Sequence, residues 1–313
     1  MATDGLLLVD KHPGCTSHDV VQSVRRVLRQ RRVGHCGTLD PDATGLLMLT
    51  VGHATRLTRF LIHAPKVYEG TIRLGIDTDT YDASGKLLAE RPTAGVDEAA
   101  VDEAMRRFEG TFEQTLPAYS ARKLQGVKLY ELARRGEEVP EITKQVTVAE
   151  FARLGPLADD LLPFRLSCSS GTYARALAHD LGRALGCGAH LAGLRRTTVG
   201  PFRVADALDL DEVARRHEAG ATLGAAWLPL ERIPLPFPEA RVDAQQERRL
   251  RHGQTVVVRQ LDAAPGDWVR VADGAGLLIA IGSINERVAA GALAVVQPRI
   301  VFGEADVIGS PRT

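Results

Sequence analysis

The stretch from Gly34 to Gly45 holds the residues best suited to chemistry. It has the sequence GHCGTLDPDATG, and its glycines allow tight turns and close approach of a ligand. Pro41 restricts the backbone directly after Asp40 and so fixes how that carboxylate is presented. Such a carboxylate can act as a nucleophile, a base or a stabiliser of positive charge. An isolated Asp-Pro pair is more often a turn or a helix start, so both interpretations stay open at this point.

Positive charge is concentrated beside this loop and beside a second one. The chain has 39 basic and 39 acidic residues, which argues against binding nucleic acid through overall charge alone. The range 20–39, however, has five arginines and no acid, and the range 165–203 has six arginines and one acid. Solvated helix faces explain charge runs of this kind about equally well. Because both windows flank glycine-containing loops, at 35–45 and 169–175, we expect a positive binding face.

Length and composition indicate an ordinary globular chain. The 313 residues predict about two domains, and 44% hydrophobic with 25% charged residues is average for that class. The four cysteines are scattered, which predicts neither a zinc site nor a disulfide framework. Acidic residues bracket the apolar run Leu6–Val9, so it does not resemble a signal peptide, and no apolar run approaches membrane-spanning length. We therefore expect a cytoplasmic protein without a bound metal.

The elements that position the two loops can be predicted from apolar periodicity. Thr16 and Asp19 form a capping box before a helix that starts near Ser17. Further strands and helices follow the same criteria. The predicted strands are Gly5–Asp10, Leu46–Val51, Val67–Ile76 and Phe164–Cys168, and the other predicted helices are Asp97–Phe108 and Thr172–Leu185.

A proline-rich stretch between Leu228 and Glu239 predicts a domain boundary, because no helix or central strand accepts four prolines at this density. Beyond it, a short helix over Val242–His252 and several short strands predict a small β-barrel. We therefore expect one domain over residues 1–230 and another over 237–305. The predicted strands of the second are Thr255–Arg259, Trp268–Ala272, Leu277–Ile284 and Ala292–Phe302.

Several segments resemble one known family. The run GHCGTLDPDATGLL resembles the active-site motif of the TruB family, the bacterial tRNA pseudouridine-55 synthases. LLLVDKHPGCTSHDVV, KVYEGTIRLG, PAYSARKLQGVKLYELARRG, and CSSGTYARALAHDLG continuing to HLAGLRRTTVGPF resemble it in family order, covering most of residues 5–203. Residues 242–302 resemble the RNA-binding PUA domain of the same family. Two departures are His12 before Pro13 and Cys36 beside His35, the latter a potential target for oxidation.

The resemblance implies an α+β fold. Its catalytic domain would have a mixed, mainly antiparallel central sheet flanked by helices and loops, followed by a small PUA-like β-barrel. A basic arm over about 118–143 would close on the RNA as a thumb. The implied reaction converts uridine 55 in the T loop of tRNA to pseudouridine without a cofactor. The implied partner is the tRNA T-arm stem-loop, with a monomeric enzyme and no obligate protein partner.

The resemblance also implies roles for single residues, position by position. Asp40 matches the nucleophile, and Arg175 matches the arginine that pairs with it. Side chains that stack on an extruded base or fill its vacancy offset the few kcal/mol that base flipping costs. The other matched positions are Tyr68 (stacking and a candidate proton relay), Tyr173 and Leu194 (contacts to the flipped uracil), His35 (filling the vacated stack), and Lys11 and Lys123 (RNA binding). Attack at C6 or at C1′, and the final proton acceptor, stay open.

Two other classes of function remain as alternatives. A non-catalytic tRNA-binding or folding protein on the same fold would bind tRNA without forming product. A hydrolase would need a second carboxylate, for which Asp42 is the nearest candidate, and would release free uracil. The joint presence of Asp40, Tyr68 and Arg175 argues against the first alternative. For the second, the nearby loop positions of Asp40 and Asp42 do not establish a working separation of the two carboxylates.

Overall fold

The structure, a computed structural model, describes residues 4–117, 119, 123–124, 127–128, 135, 140–289 and 291–303. Most of the expected thumb arm therefore lies outside the described residues. The strands, in chain order, are β1 (Gly5–Lys11), β2 (Val33–His35), β3 (Thr44–Val51), β4 (Lys66–Leu74), β5 (Ile76–Thr78), β6 (Leu87–Glu90), β7 (Gly110–Thr115), β8 (Lys123–Leu124), β9 (Val127–Lys128), β10 (Thr143–Arg153), β11 (Leu161–Cys168), β12 (Ala189–Val199), β13 (Phe202–Arg203), β14 (Trp227–Pro229), β15 (Glu239–Arg241), β16 (Val256–Arg259), β17 (Trp268–Ala272), β18 (Leu278–Val288) and β19 (Leu293–Val301).

The helices are short and begin at polar caps or turns. The α-helices are α1 (Ser17–Val27), α2 (Thr58–Leu61), α3 (Glu98–Arg106), α4 (Ala174–Leu185), α5 (Leu210–Glu218) and α6 (Ala244–Arg251). Short 3₁₀ helices span Gly52–Leu57, Val204–Asp206, Gly224–Ala226 and Leu230–Arg232. The predicted capping box of α1 is confirmed, because Thr16 Oγ1 accepts from the Asp19 N–H while Asp19 accepts from the Thr16 N–H.

One large mixed sheet forms the scaffold of the N-terminal part. Its strand order is β14-β1-β3-β12-β4-β11-β10-β7, with β2 also paired to β3 and β13 to β12. Neighbouring strands run antiparallel, apart from the parallel pair β3 and β12. This topology confirms the predicted mixed, mainly antiparallel α+β sheet. β12, which sequence periodicity did not predict, lies at its centre between β3 and β4.

The C-terminal part is a second mixed sheet, in the order β15-β17-β18-β19-β16, around a hydrophobic cluster of its own. It also contributes Ile281, Ile300 and Phe302 to a cluster that contains Leu57 and Leu61 of the N-terminal part. The Trp268 ring meets Phe60 edge to face, with ring centroids 5.1 Å apart. The two sheets therefore share apolar packing as well as a connecting chain.

Most sequence-predicted elements are present, with shifts at their ends. The predicted strand Val67–Ile76 ends at Leu74, because Gly75 adopts a left-handed backbone with φ of 84° and the chain turns into β5. α4 starts at Ala174, two residues later than predicted, with Tyr173 in extended conformation at its N-cap. Tyr173 is therefore the last residue of the loop that precedes the helix.

Candidate active site

The loop that carries Asp40 connects β2 to β3 and is tied to the scaffold through its backbone. Buried Ser17, the first residue of α1, bonds both backbone groups of Leu39: its Oγ accepts from the N–H at 2.8 Å and donates to the carbonyl at 3.1 Å. Gly45 ends the loop with φ of 96°, and a Cβ there would lie 2.3 Å from the Arg196 carbonyl oxygen. A side chain at this position is therefore excluded by β12.

Lys11 holds the same loop from β1. It is 1% exposed, and its Nζ donates to the carbonyls of His12, Pro41 and Ala43 at 2.9, 2.8 and 2.6 Å. Burial lowers the pKa of this ammonium from its usual range. This placement differs from the RNA-binding role expected for Lys11, because an ammonium has three N–H donors and all three bond backbone carbonyls.

Arg196 is the third anchor of the loop. It lies on β12, is 1% exposed, and donates from Nε to Leu46 O at 2.7 Å. Its Nη1 and Nη2 donate to the carbonyls of Thr38 and Gly37 at 3.3 and 3.1 Å. A buried guanidinium needs such partners to offset its desolvation. Arg196 thus links the centre of the sheet to the start of the Asp40 loop.

Asp40 is paired with Arg175. Arg175 Nε lies 2.9 Å from Asp40 Oδ2, and Nη2 donates to Oδ1 at 3.5 Å. The Nε–H is not aligned with a described acceptor, so the shorter contact is an ion pair without a well-directed hydrogen bond. The arginine side chain is 6% exposed whereas the aspartate side chain is 45% exposed. The carboxylate therefore faces open space while its cation is buried behind it.

Asp82 is a second carboxylate beside the same guanidinium. Its Oδ2 lies 3.6 Å from Arg175 Nη1, and Nη1 also donates to the Thr80 carbonyl at 3.2 Å. Asp82 Oδ1 accepts from the hydroxyls of Thr80 and Ser84, each at 2.6 Å. Arg175 is thus held between a fixed carboxylate and the more exposed Asp40. Sequence reasoning did not single out Asp82, which lies in an acidic turn between β5 and β6.

Gln114 fixes the start of the helix that carries Arg175. Its Oε1 accepts from the Tyr173 N–H at 2.8 Å, and its Nε2 donates to the Tyr173 carbonyl at 3.1 Å. Gln114 is 1% exposed and lies on the edge strand β7. Because Tyr173 has no side-chain cap of its own, this pair of bonds ties the N-cap of α4 to the sheet.

Five residues expected at the site line one cavity of about 400 Å³. They come from the Asp40 loop, β4, β12 and the start of α4. These residues are Asp40, Tyr68, Tyr173, Arg175 and Leu194. Burial raises the pKa of Tyr68, so its phenol is protonated near neutral pH. The cavity therefore combines a carboxylate with apolar and aromatic walls, which suits a planar ring.

Lys66 also lines this cavity, and the buried thiols of Cys36 and Cys168 lie near it. Lys66 is 5% exposed, its Nζ donates to the carbonyls of Ile62 and Ala64, and burial lowers its pKa to about 8. Burial raises the pKa of Cys36 to about 12 and that of Cys168 to about 11. A buried, protonated thiol reacts slowly with oxidants, so the expected oxidation sensitivity of Cys36 is not supported.

The two remaining expected residues are His35 and Lys123. His35 is half-buried at the end of β2 and does not line the cavity, and burial lowers its pKa. Its Nδ1 has no hydrogen-bond partner within the described residues. The backbone of Lys123 belongs to β8, while its side chain lies outside the described residues.

The arginine-rich range 165–203 forms less positive surface than its sequence predicts. Arg175 and Arg196 are buried in the bonds described above. Arg195 is paired with Asp10 at 2.6 Å, and Arg165 with Glu150 at 3.1 Å. Of the six arginines only Arg183 and Arg203 are exposed, because the other four are buried or paired with acids from other strands.

The described part of the chain gives no structural sign of a metal or membrane site. No group of three or more His, Cys, Asp or Glu residues there is arranged to hold a metal ion. Within the same residues, no helix is long and apolar enough to cross a membrane.

Comparison with known proteins places the chain in a family. Three family descriptions match consecutive segments: "TruB family pseudouridylate synthase (N terminal domain)" over 25–174, "tRNA pseudouridylate synthase B C-terminal domain" over 175–233, and "Pseudouridine synthase II TruB, C-terminal" over 238–294. The tRNA pseudouridine synthase B of Thermobifida fusca (strain YX) is 47% identical over 261 residues, 81% of this chain and 86% of that protein. Its counterpart in Burkholderia mallei (strain NCTC 10247) is 42% identical over 295 residues, 92% and 96% of the two chains.

Solved structures share the fold over nearly the whole chain. A chain in the structure of an H/ACA RNP bound to a substrate RNA containing 2′-deoxyuridine superposes with a TM-score of 0.75 at 25% identity, covering 96% of this chain and 86% of that one. A chain in a Cbf5-Nop10-Gar1 complex gives 0.74 at 27% identity, with 97% and 86% coverage. From the extent of these matches and the geometry around Asp40, the chain belongs to the TruB family of pseudouridylate synthases.

Proposed function

We propose that this protein converts uridine 55 in the T loop of tRNA to pseudouridine, with Asp40 as the nucleophile on a flipped-out base. The observation that carries the proposal is the Asp40 carboxylate, half-exposed in a cavity and paired with buried Arg175. The names of the relatives support tRNA as the substrate. In this reaction the C1′–N1 bond breaks, the base turns, C5 bonds to C1′, the proton on C5 is lost and N1 takes up a proton.

The surrounding residues support a division of roles. Arg175 orients the Asp40 carboxylate until the base enters. Tyr68, Tyr173 and Leu194 would enclose the uracil ring, since all three line the cavity. Because burial keeps the Tyr68 phenol protonated, Tyr68 relays the C5 proton only by giving up its own proton in the same step.

Residues away from the cavity complete the proposal. We assign Lys11 to positioning the Asp40 loop in place of RNA contact, since its three donors are used there. His35 would fill the stack that the base leaves, and Lys123 would contact RNA from the arm. The C-terminal sheet, over about 237–305, would dock the T arm, and the range 1–230 would carry out the chemistry.

The test is release of tritium from a T-arm hairpin that carries 5-tritiated uridine at position 55 alone. Asp40→Asn is expected to lower the release rate by at least about 10³-fold while hairpin affinity stays within a few fold. Asp42→Asn is the matched control, because it makes the same charge change at an exposed position of the same loop. Release by Asp40→Asn at the wild-type rate, or free uracil as product, would overturn the proposal.

A further inference from the structure

A second cavity, of about 460 Å³, lies far from Asp40. It is formed where the end of α1, the end of α5 and β14 meet beside β3. β1 joins the two regions: Lys11 pairs with Gly45 at the loop end, and Gly5 pairs with Pro229 at the other. Seven strand residues span about 20 Å, so the second cavity is separate from the catalytic one.

The wall of this cavity combines apolar surface with a few polar groups. Leu28, Leu223 and Trp227 supply the apolar part, and Arg29, Gln30 and His217 the polar part. Its lining, among the described residues, includes no Asp or Glu. Cavities of this size, mostly apolar with a few polar groups, are typical of small-molecule sites.

His217 has an unused ring nitrogen at this cavity. Its Nδ1 is buried and has no hydrogen-bond partner in the described part of the chain. A neutral imidazole has one N–H donor and one acceptor nitrogen, and a buried ring nitrogen without a partner is unfavourable. Because Nδ1 itself is closed to solvent, a ligand with a polar edge in the cavity would bond the other nitrogen of the ring, Nε2.

Arg29 adopts a backbone conformation that glycine normally provides. It follows the C-cap of α1 with φ of 50°, and the next N–H, of Gln30, bonds the Arg25 carbonyl at 3.1 Å. This is a Schellman-type helix end, where a side chain is costly because Cβ crowds the carbonyl oxygen. The helix end therefore does not explain arginine here. The side chain is exposed at the cavity and makes no ion pair with a described residue.

We propose that this cavity binds a nucleotide, with the base against Trp227, a polar edge of the base at His217, and the phosphate at Arg29. An aromatic wall suits a planar heterocycle, and a cationic rim without carboxylates suits an anion. The nucleotide is either free in solution or part of an RNA bound elsewhere on the protein. This proposal is independent of the proposed catalytic function.

Trp227 provides a direct readout, because the chain has only two tryptophans. In a Trp268→Phe background, titration with AMP, GMP, CMP and UMP is expected to change Trp227 fluorescence saturably. Saturation-transfer NMR on the unmodified protein provides a second measurement that requires no substitution. Both are repeated with a saturating T-arm hairpin, which occupies the catalytic cavity, so that a persisting signal belongs to the second cavity.

Arg29→Gly separates binding from helix stability. Glycine removes the guanidinium and relieves the backbone, so the unfolding temperature is expected to stay equal or rise while nucleotide affinity falls at least about fivefold. Arg26→Ala is the control, since Arg26 is exposed on the same helix and does not line the cavity. His217→Ala is also expected to weaken nucleotide binding, whereas Arg26→Ala should bind as tightly as the unmodified protein.

The source of the nucleotide is distinguished by comparing ligands. A signal from mononucleotides identifies a free nucleotide, and a signal from full-length tRNA that the T-arm hairpin does not produce identifies an RNA nucleotide. The proposal is overturned if none of these ligands produces a saturable signal at millimolar nucleotide or micromolar tRNA. It is also overturned if Arg29→Gly and His217→Ala both bind as tightly as the unmodified protein.

Discussion

The catalytic cavity and the surface of the C-terminal part use basic side chains in opposite ways. Around the cavity, Lys11, Lys66, Arg175 and Arg196 are each buried and bond carbonyls or carboxylates. In the C-terminal part, Arg248, Arg249 and Arg259 are exposed. A buried cation holds one geometry and is little screened by salt, whereas an exposed one attracts phosphates over about a Debye length. The position of a basic residue in the fold, more than its type, therefore decides whether it orders the site or captures RNA.

The largest effect is expected at Arg196. Arg196→Met would leave the carbonyls of Gly37, Thr38 and Leu46 without donors inside the protein, at a cost of about 2–4 kcal/mol in the free energy of unfolding. We also expect about a 100-fold lower kcat, because the Asp40 loop loses an anchor. Denaturant unfolding and tritium release under saturating hairpin measure the two effects.

The neighbouring Arg195 is the matched control. Its side chain is 43% exposed and paired with Asp10, so Arg195→Met is expected to cost no more than about 1 kcal/mol. Arg196→Lys keeps the charge but has fewer well-placed donors. Its loss of unfolding free energy is therefore expected to lie between those of Arg195→Met and Arg196→Met. If Arg195→Met and Arg196→Met lost equal amounts of unfolding free energy, the expected difference between exposed and buried cations would be contradicted.

Because Lys66 is a buried cation, it should make folding stability depend on pH. Burial lowers its pKa from 10.5 to about 8, so between these values the unfolded chain binds the proton and the folded protein does not. Folding stability from this group therefore rises as pH increases from about 8 to about 10.5, by up to about 3 kcal/mol, and is lowest below pH 8.

The two cysteines near Lys66 act in the opposite direction. Burial raises the pKa values of Cys36 and Cys168, so the unfolded chain loses their protons first and stability falls with pH through their range. The difference between the unmodified protein and Lys66→Met isolates the lysine. The unmodified protein is expected to gain stability relative to Lys66→Met as pH increases from 8 to 10, whichever of the two is more stable at pH 8. A constant difference would show that Lys66 titrates normally.

Asp82 should have a smaller effect, on rate alone. Asp82→Asn removes the charge 3.6 Å from Arg175 Nη1 but leaves the Asp40 pair and the cavity walls in place. We expect about a tenfold lower kcat with little change in KM, because the guanidinium is less well oriented. Asp79→Asn in the same turn is the control, and a change in KM alone would exclude a positioning role.

The smallest effect is expected in the C-terminal part. Replacing both Arg248 and Arg249 by glutamine should weaken tRNA affinity a few fold at physiological salt. It should also reduce the slope of log affinity against log salt by about 0.7–0.9 for each phosphate that the protein no longer neutralises. Arg196→Lys should leave that slope unchanged. An unaltered slope in the double variant would place the RNA elsewhere than at α6.

The sequence was informative where local pattern and family motif agree. Asp40, Tyr68, Tyr173, Arg175 and Leu194 were expected together, and they line one cavity. Glycines, prolines and caps act over a few residues, so the start of α1 and the end of β3 also follow from local sequence. The fold class, which the family resemblance implied, was confirmed as well.

Burial of charge was not predictable in this way. β12 was missed because its Gly193-Leu194-Arg195-Arg196 run has no apolar alternation. Arg196 is buried only because two carbonyls of the Asp40 loop and one of β3, all distant in sequence, accept its hydrogen bonds. Lys11 is a similar case, with acceptors 30 and 32 residues away. Such partners exist only after the sheet has formed.

The bond pair between Gln114 and Tyr173 makes the site sensitive to strand register. β7 is an edge strand, and edge strands tolerate slipped pairing because a single neighbour holds them. A slip of one residue would turn Gln114 to the opposite face of the sheet and present Glu113 or Thr115 to the N-cap of α4. A mispaired edge strand would no longer bond Tyr173 and so would no longer position the helix that carries Arg175. Correct pairing at the edge of the sheet is therefore a condition for an ordered cavity.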